Sequence, residues 1–150
     1  MLKKKTDGRC ISFRKNELNA ITIDATDIPD LVPILSLVAS VSNGTTVIKG
    51  AERLRFKESD RLKSVSSVLN ALGADITETD DGLIIKGVSK LRGGCVDSFN
   101  DHRIAMSCAI ASVICENEVQ ISGAECVKKS YPAFFEDFKK LGGVASVSDR

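Results

Sequence analysis

Ile23-Asp24 opens a stretch that closes on Val47-Ile48-Lys49-Gly50-Ala51-Glu52, and the same order returns as Val96-Asp97 closing on Val119-Gln120-Ile121-Ser122-Gly123-Ala124-Glu125. A constant 73 residues separate Asp24 from Asp97 and Gly50 from Gly123. Self-similarity at a fixed offset marks one structural unit used more than once. After Gly-Ala-Glu, each copy carries a basic stretch, a serine (Ser59, Ser130) and a helical pattern that stops at Leu-Gly (Leu72-Gly73, Leu141-Gly142).

Working outward, the unit reads strand, helix, strand, helix, strand, strand, with first-copy elements predicted near 20–24, 29–42, 45–50, 59–72, 74–79 and 83–87. Asp80-Asp81-Gly82 is a hairpin turn between the last two strands. Pro29 suits a first helical turn, where its missing N–H is no loss. Leu62, Val65, Val68, Leu69 and Leu72 give the second helix one apolar face. The first helices differ: Leu31 to Ala39 and Ile104 to Ala111 are apolar or small nearly all round, so burial is expected on every side. Ala74 to Thr79 alternates, so one sheet face should meet water. The patterning predicts an α+β domain of βαβαββ units, helices inside and sheets outside, with units at about 20–90 and 91–150. Residues 9–13 look like a strand with nothing before it to pair, so the domain is expected to be incomplete.

Bulk composition narrows the function. The 150 residues carry 21 basic and 20 acidic side chains, a net charge of +1. No global field draws nucleic acid or a membrane surface, so any bound anion needs a local cluster. No stretch is long enough for a helical membrane span, and Met1-Leu2-Lys3-Lys4-Lys5 has no apolar run behind it to make a signal peptide. A cytoplasmic location is expected. The five cysteines form no CxxC pair, and with one histidine a zinc site lacks partners; they read as buried free thiols.

Four clusters carry chemistry. Asp24 ends an apolar strand, with Asp27 and Asp30 following at capping spacing. Capping explains the later two, whereas Asp24 is placed to bind a hydroxyl or take its proton. In Arg53-Leu54-Arg55-Phe56-Lys57-Glu58-Ser59-Asp60-Arg61, Ser59 is the expected N-cap, and Lys57 and Arg61 flank a helix start suited to an anion. A solvated loop of salt bridges is the plainer alternative. Asn100-Asp101-His102-Arg103 precedes the second apolar helix; His102 suits a cap or a surface, while Arg103 offers a fork for phosphate or carboxylate. Lys128-Lys129-Ser130-Tyr131-Pro132 lies where the second cluster recurs, with Pro132 expected to start a helix. If the units pack side by side, Lys57, Arg61, Arg103 and Lys129 converge on one edge with Asp24 and Glu58 among them, and nothing in the chain neutralises all four cations. That arrangement suits a multiply anionic substrate and acid–base chemistry.

Arg55-Phe56-Lys57-Glu58-Ser59-Asp60-Arg61-Leu62, Asn100-Asp101-His102-Arg103-Ile104-Ala105-Met106 and Lys129-Ser130-Tyr131-Pro132-Ala133-Phe134-Phe135 follow Asp24 and Pro29-Asp30-Leu31 in an order and spacing that resemble the 5-enolpyruvylshikimate-3-phosphate (EPSP) synthase family. The resemblance runs from about Asp24 to about Gly143. It implies an enolpyruvyl transferase-like, inside-out α/β barrel, of which residues 1–150 are a partial C-terminal domain without the N-terminal domain. It implies transfer of the enolpyruvyl group from phosphoenolpyruvate to the 5-hydroxyl of shikimate 3-phosphate, with no metal or organic cofactor. Asp24 then resembles the base and Glu58 the proton donor. Lys57 resembles a contact to shikimate 3-phosphate, Arg61, Arg103 and Lys129 the phosphoenolpyruvate clamp, and His102 a polar support. The isolated chain is expected to be inactive. The rival readings are the related UDP-N-acetylglucosamine enolpyruvyl transferase, a non-catalytic anion-binding module, and a structural repeat domain.

Overall fold

Two parallel strand pairs carry the duplication into three dimensions. The computed structural model describes residues 16–147, so the strand expected at 9–13 lies outside the described residues. In chain order the elements are β1 (Thr22–Asp24), α1 (Val32–Ser40), β2 (Thr45–Lys49), α2 (Arg61–Ala71), β3 (Asp75–Glu78), β4 (Leu83–Lys86), β5 (Gly94–Asp97), α3 (His102–Ala111), β6 (Val119–Ser122) and α4 (Phe134–Lys140). Short 3-10 turns at Pro29–Leu31, Glu52–Phe56 and Ala124–Lys129 precede α1, α2 and α4. β1 pairs parallel to β2 with Asp24 opposite Lys49, and β5 pairs parallel to β6 with Asp97 opposite Ser122, the same 25-residue register in both copies. The first sheet is completed by antiparallel β4 and β3, in the order β1-β2-β4-β3.

Both copies turn out of their second strand on a left-handed glycine, Gly50 and Gly123, each at φ 69°. A side chain there would be strained and would also collide: a Cβ on Gly50 meets Thr26 Oγ1 at 2.5 Å, and one on Gly123 meets Ser98 Oγ at 2.7 Å. The later Leu-Gly stops sit 69 residues apart instead of 73, because α4 has 7 residues and α2 has 11. Those four residues are about one helical turn. The last helix of the second copy is therefore one turn shorter than its counterpart.

The core lies where the helices meet the inner sheet face. Leu62, Val65, Val68, Leu69 and Leu72 are all buried, joined by Ile48, Leu83, Ile85, Leu91 and Ile104. α1, α2 and α3 pack on one another. In β3, Ile76 is buried while Asp75, Thr77 and Glu78 face outward, so the expected wet sheet face is present. Burial of the two apolar segments is less complete than expected: Leu31 at the end of the 3-10 turn, Val38 on α1 and Ile110 on α3 keep 47%, 41% and 38% exposure. A shallow groove between these helices is lined by Leu31, Pro33, Ile34, Met106 and Ile110. The cysteines also divide: Cys108 and Cys126 are buried, Cys115 is half-buried and Cys95 is exposed. Burial pushes the Cys108 thiol up to about 12, helped by the nearby Cys115. Cys10 lies outside the described residues. Among the described residues no helix is long and apolar enough to cross a membrane.

Candidate functional site

The residues before α1, α2 and α3 meet at one place, since each of those helices starts near the end of a strand. Arg61, the first residue of α2, is 1% exposed. A guanidinium is costly to bury unless its donors are satisfied, and here three carboxylates share them. Nε donates to Asp101 Oδ2 at 2.6 Å, Nη1 to Asp30 Oδ1 at 2.9 Å, and Nη2 to Glu58 and, at 3.4 Å, to Asp101 Oδ1. Arg103 reaches the same Asp30 from the other copy, Nη2 to Oδ2 at 3.0 Å, and Lys57 Nζ stands 3.9 Å from Oδ1. Lys57, Arg61 and Arg103 therefore converge, with Glu58 beside them. They are not left unneutralised, as the sequence suggested. Asp30, Glu58 and Asp101 balance the three cations, and two of those carboxylates come from segments read as helix caps.

Caps and clamps are distributed differently from the sequence reading. Asp60, not Ser59, caps α2: its side chain accepts from Lys63 N at 3.2 Å, while Ser59 Oγ donates to Asp101 at 3.2 Å. Asp60 wins because its carboxylate directly precedes the first helical residue and complements the helix dipole. Asp30 makes no cap. Asp101, fully buried, caps α3 by accepting from Arg103 N at 2.9 Å. Burial pushes its carboxyl upward, but Arg61, the Arg103 amide and Ser59 outweigh this and hold it below the usual range. His102 is buried at 8% instead of capping or facing solvent, and its Nδ1 has no hydrogen-bond partner among the described residues. Pro132 does not start the last helix, which begins at Phe134.

Among the described residues neither Asp24 nor Lys129 forms a hydrogen bond or ion pair with Asp30; Asp24 is held by Thr26, two residues on, and Lys129 by Asn100, 29 residues back. Asp24 Oδ1 accepts from Thr26 Oγ1 at 2.6 Å and from Thr26 N at 3.1 Å. These two bonds, the hydroxyl first, lower its pKa. Its repeat equivalent Asp97 accepts from Phe99 N at 2.6 Å. Beyond Asp97 the chain passes through two left-handed non-glycine residues, Phe99 (φ 52°) and Asn100 (φ 55°). Such backbone costs about 1–3 kcal/mol per residue and gathers at functional sites. It turns both the backbone oxygen and Oδ1 of Asn100 toward Lys129 Nζ, each at 2.8 Å. Arg55, by contrast, is structural: it pairs with Asp60 and Glu78 and donates to the carbonyls of Thr79 and Asp80, fastening the 3-10 turn to the β3–β4 hairpin. Among the described residues no three His, Cys, Asp or Glu side chains gather as a metal site.

The family model for EPSP synthase (3-phosphoshikimate 1-carboxyvinyltransferase) matches residues 3–138. The chain belongs to the EPSP synthase family. The 3-phosphoshikimate 1-carboxyvinyltransferase of Clostridium acetobutylicum is 56% identical over 137 residues, 91% of this chain and 32% of the relative. That of Clostridium novyi is 57% identical over 134 residues, 89% of this chain and 31% of the relative. An EPSP synthase structure from Acinetobacter baumannii superimposes with a TM-score of 0.81 at 35% identity, covering 89% of this chain and 32% of that one. The chain thus spans about a third of the length of these EPSP synthases. Its mixed helix-and-sheet architecture is that of an incomplete enolpyruvyl transferase-like domain.

Proposed function

We propose that this chain is part of the C-terminal domain of an enzyme that transfers the enolpyruvyl group of phosphoenolpyruvate to the 5-hydroxyl of shikimate 3-phosphate, releasing phosphate, in the cytoplasm. The observation that carries the reading is the meeting of Lys57, Arg61 and Arg103, drawn from both copies, beside Glu58. Lys57 and Arg103 keep side-chain exposures of 38% and 35%, so an anion can reach them. In this reading Asp24 takes the hydroxyl proton as the oxygen adds to the substituted alkene carbon, and Glu58 protonates the methylene. Loss of phosphate and of one proton from the new methyl group then restores the double bond. A lowered pKa keeps Asp24 ionised and suits it to orienting the hydroxyl. Lys129 adds a fourth cation, and His102 supports the start of α3. The remaining substrate contacts belong to the N-terminal domain that full-length relatives would supply.

The 150-residue chain alone should release no phosphate above background, because half a substrate shell cannot hold two reactants in attack geometry. Grafted in place of the matching third of the Clostridium acetobutylicum relative, it should support the reaction. Glu58→Gln in the graft should lower kcat by about 10²–10⁴-fold, the range for a general acid. A graft with full activity and an indifferent Glu58 would sink the assignment. A second reading rests on the burial of Arg61: at 1% exposure among three carboxylates it also serves as an interior pin joining the repeats.

A further inference from the structure

Lys129 differs from the other three cations in what holds it. Lys57, Arg61 and Arg103 each face a carboxylate, whereas among the described residues Lys129 forms no ion pair. Its Nζ donates to two neutral acceptors of a single residue, the backbone oxygen and Oδ1 of Asn100, each at 2.8 Å. Both oxygens reach it because Phe99 and Asn100 are left-handed, at φ 52° and 55°. Asparagine tolerates that region, and phenylalanine rarely adopts it. The equivalent turn of the first copy, at Thr26 and Asp27, does without it, since Phe99 and Asn100 alone among the described non-glycine residues have positive φ. The turn is pinned along its length. Phe99 N donates to Asp97 Oδ1 at 2.6 Å, Asn100 N donates to Ser98 Oγ at 3.2 Å, and Asp101 follows directly as the cap of α3. The buried Ser98 donates in turn to the carbonyl of Gly123, from which the 3-10 turn ending in Lys129 starts.

We propose that Asn100 is a positioning residue, whose two oxygens aim the Lys129 ammonium at an incoming phosphate or carboxylate without neutralising it. The inference rests on the anion site of the proposed function. An ammonium has three N–H donors, so the two that Asn100 takes leave one for the ligand. A carboxylate in the same place would hold the lysine as firmly, but it would compete with the anion for the positive charge. A residue serving the turn alone would need only the left-handed backbone, which Asn, Asp and Gly all accept.

The test titrates inorganic phosphate into the 150-residue chain and its Asn100→Gly and Asn100→Asp variants, while the ammonium nitrogen signal of Lys129 is followed by NMR without ligand. Asn100→Gly keeps the turn and the backbone acceptor but loses Oδ1. It should bind phosphate about threefold more weakly, with a more mobile Lys129 ammonium. Asn100→Asp should bind about tenfold more weakly, although its ammonium stays as restricted as in the wild type. Wild-type affinity in either variant, or a Lys129 ammonium as restricted in Asn100→Gly as in the wild type, overturns the proposal. The anion site itself fails on a different result: an Arg103→Ala chain that binds phosphate as the wild type does. Weakened binding by Arg103→Ala beside unchanged binding by Asn100→Gly would keep that site and reject only the role of Asn100.

Discussion

Asp30 and Arg103 occupy the same position in the two repeat copies, 73 residues apart, and they pair with each other at 3.0 Å. The same position of the repeated unit is an acid in one copy and a base in the other. Duplicated units that pack side by side bring equivalent positions close together, and like residues there would repel if charged. The opposite charges convert that proximity into a bond between the units. Arg61 then extends the bond inward, to Asp101 of the second copy.

Removing Asp101 should be strongly damaging, because its carboxylate accepts from Arg61, Ser59 and the Arg103 amide at once. Arg61 is buried, and removing one partner of a buried ion pair costs about 3–5 kcal/mol, even though Asp30 and Glu58 keep its two Nη atoms paired here. Asp101→Ala is expected to lose about that much in urea denaturation. The double change Arg61→Met with Asp101→Leu should recover most of it, since no charge is left to desolvate. A loss below about 1 kcal/mol in Asp101→Ala would mean that Asp30 and Glu58 suffice to hold Arg61.

Acid should unfold the chain partly through the same carboxylate. The Asp101 pKa is held below its ordinary value in the folded state, so its stabilising contribution is fully present above the unfolded pKa. It is lost as pH falls through the lowered folded pKa, which puts the loss on the acid side of the usual carboxylate range. Urea midpoints measured downward from neutrality should fall in that window. In Asp101→Asn, at whatever lower stability it has, the fall should be shallower; an unchanged slope would assign the acid sensitivity to other carboxylates.

Gly50→Ala and Gly123→Ala should each cost about 1–2 kcal/mol, the strain of a left-handed non-glycine residue, plus whatever the collision with Thr26 or Ser98 adds. Only Gly50→Ala approaches Asp24, whose Oδ1 would lie 2.9 Å from the new methyl group. Thermal denaturation should therefore report similar losses for both. The hydroxyl and amide signals of Thr26 should shift only in Gly50→Ala. A Gly50→Ala chain as stable as the wild type would show that the turn can be rebuilt with a negative φ.

Thiol reactivity should follow burial. Cys95 is exposed and should be alkylated by iodoacetamide near neutral pH within the time that Cys108 stays untouched. The Cys108 thiol, pushed up to about 12 by burial and by Cys115, has almost no thiolate at that pH. Peptide mass spectrometry after brief labelling distinguishes them. Comparable labelling of both would mean that α3 opens on the labelling timescale.

Elements with a strong local signature were legible in advance. The apolar face of α2, the Asp-Gly hairpin and the repeated register follow from spacing, because a helix or strand needs its apolar residues at fixed intervals whatever its neighbours are. Ser59 and Asp60 show where that legibility stops. Either residue can cap a helix; Asp60 does so from the position directly before the first helical residue, while Ser59 turns to Asp101, 42 residues away. The partial exposure of α1 and α3 was hidden for a similar reason: an all-round apolar helix declares that it wants cover, not how much of it this chain supplies.

The duplication, the α+β class and the candidate cations are legible in the chain alone, since each is written in residue order and type. The motifs around Lys57, Glu58 and Arg103 also carried the family before any coordinates. Which acids meet those cations depended on how the two copies pack. Asp30 reads as a helix cap in the chain and is none, whereas Asp101, not singled out as one, caps α3; packing two copies together makes both of them partners of a buried arginine. The reason is physical: local patterns act over a few residues, whereas charge pairing acts between any groups that folding brings within a few ångströms.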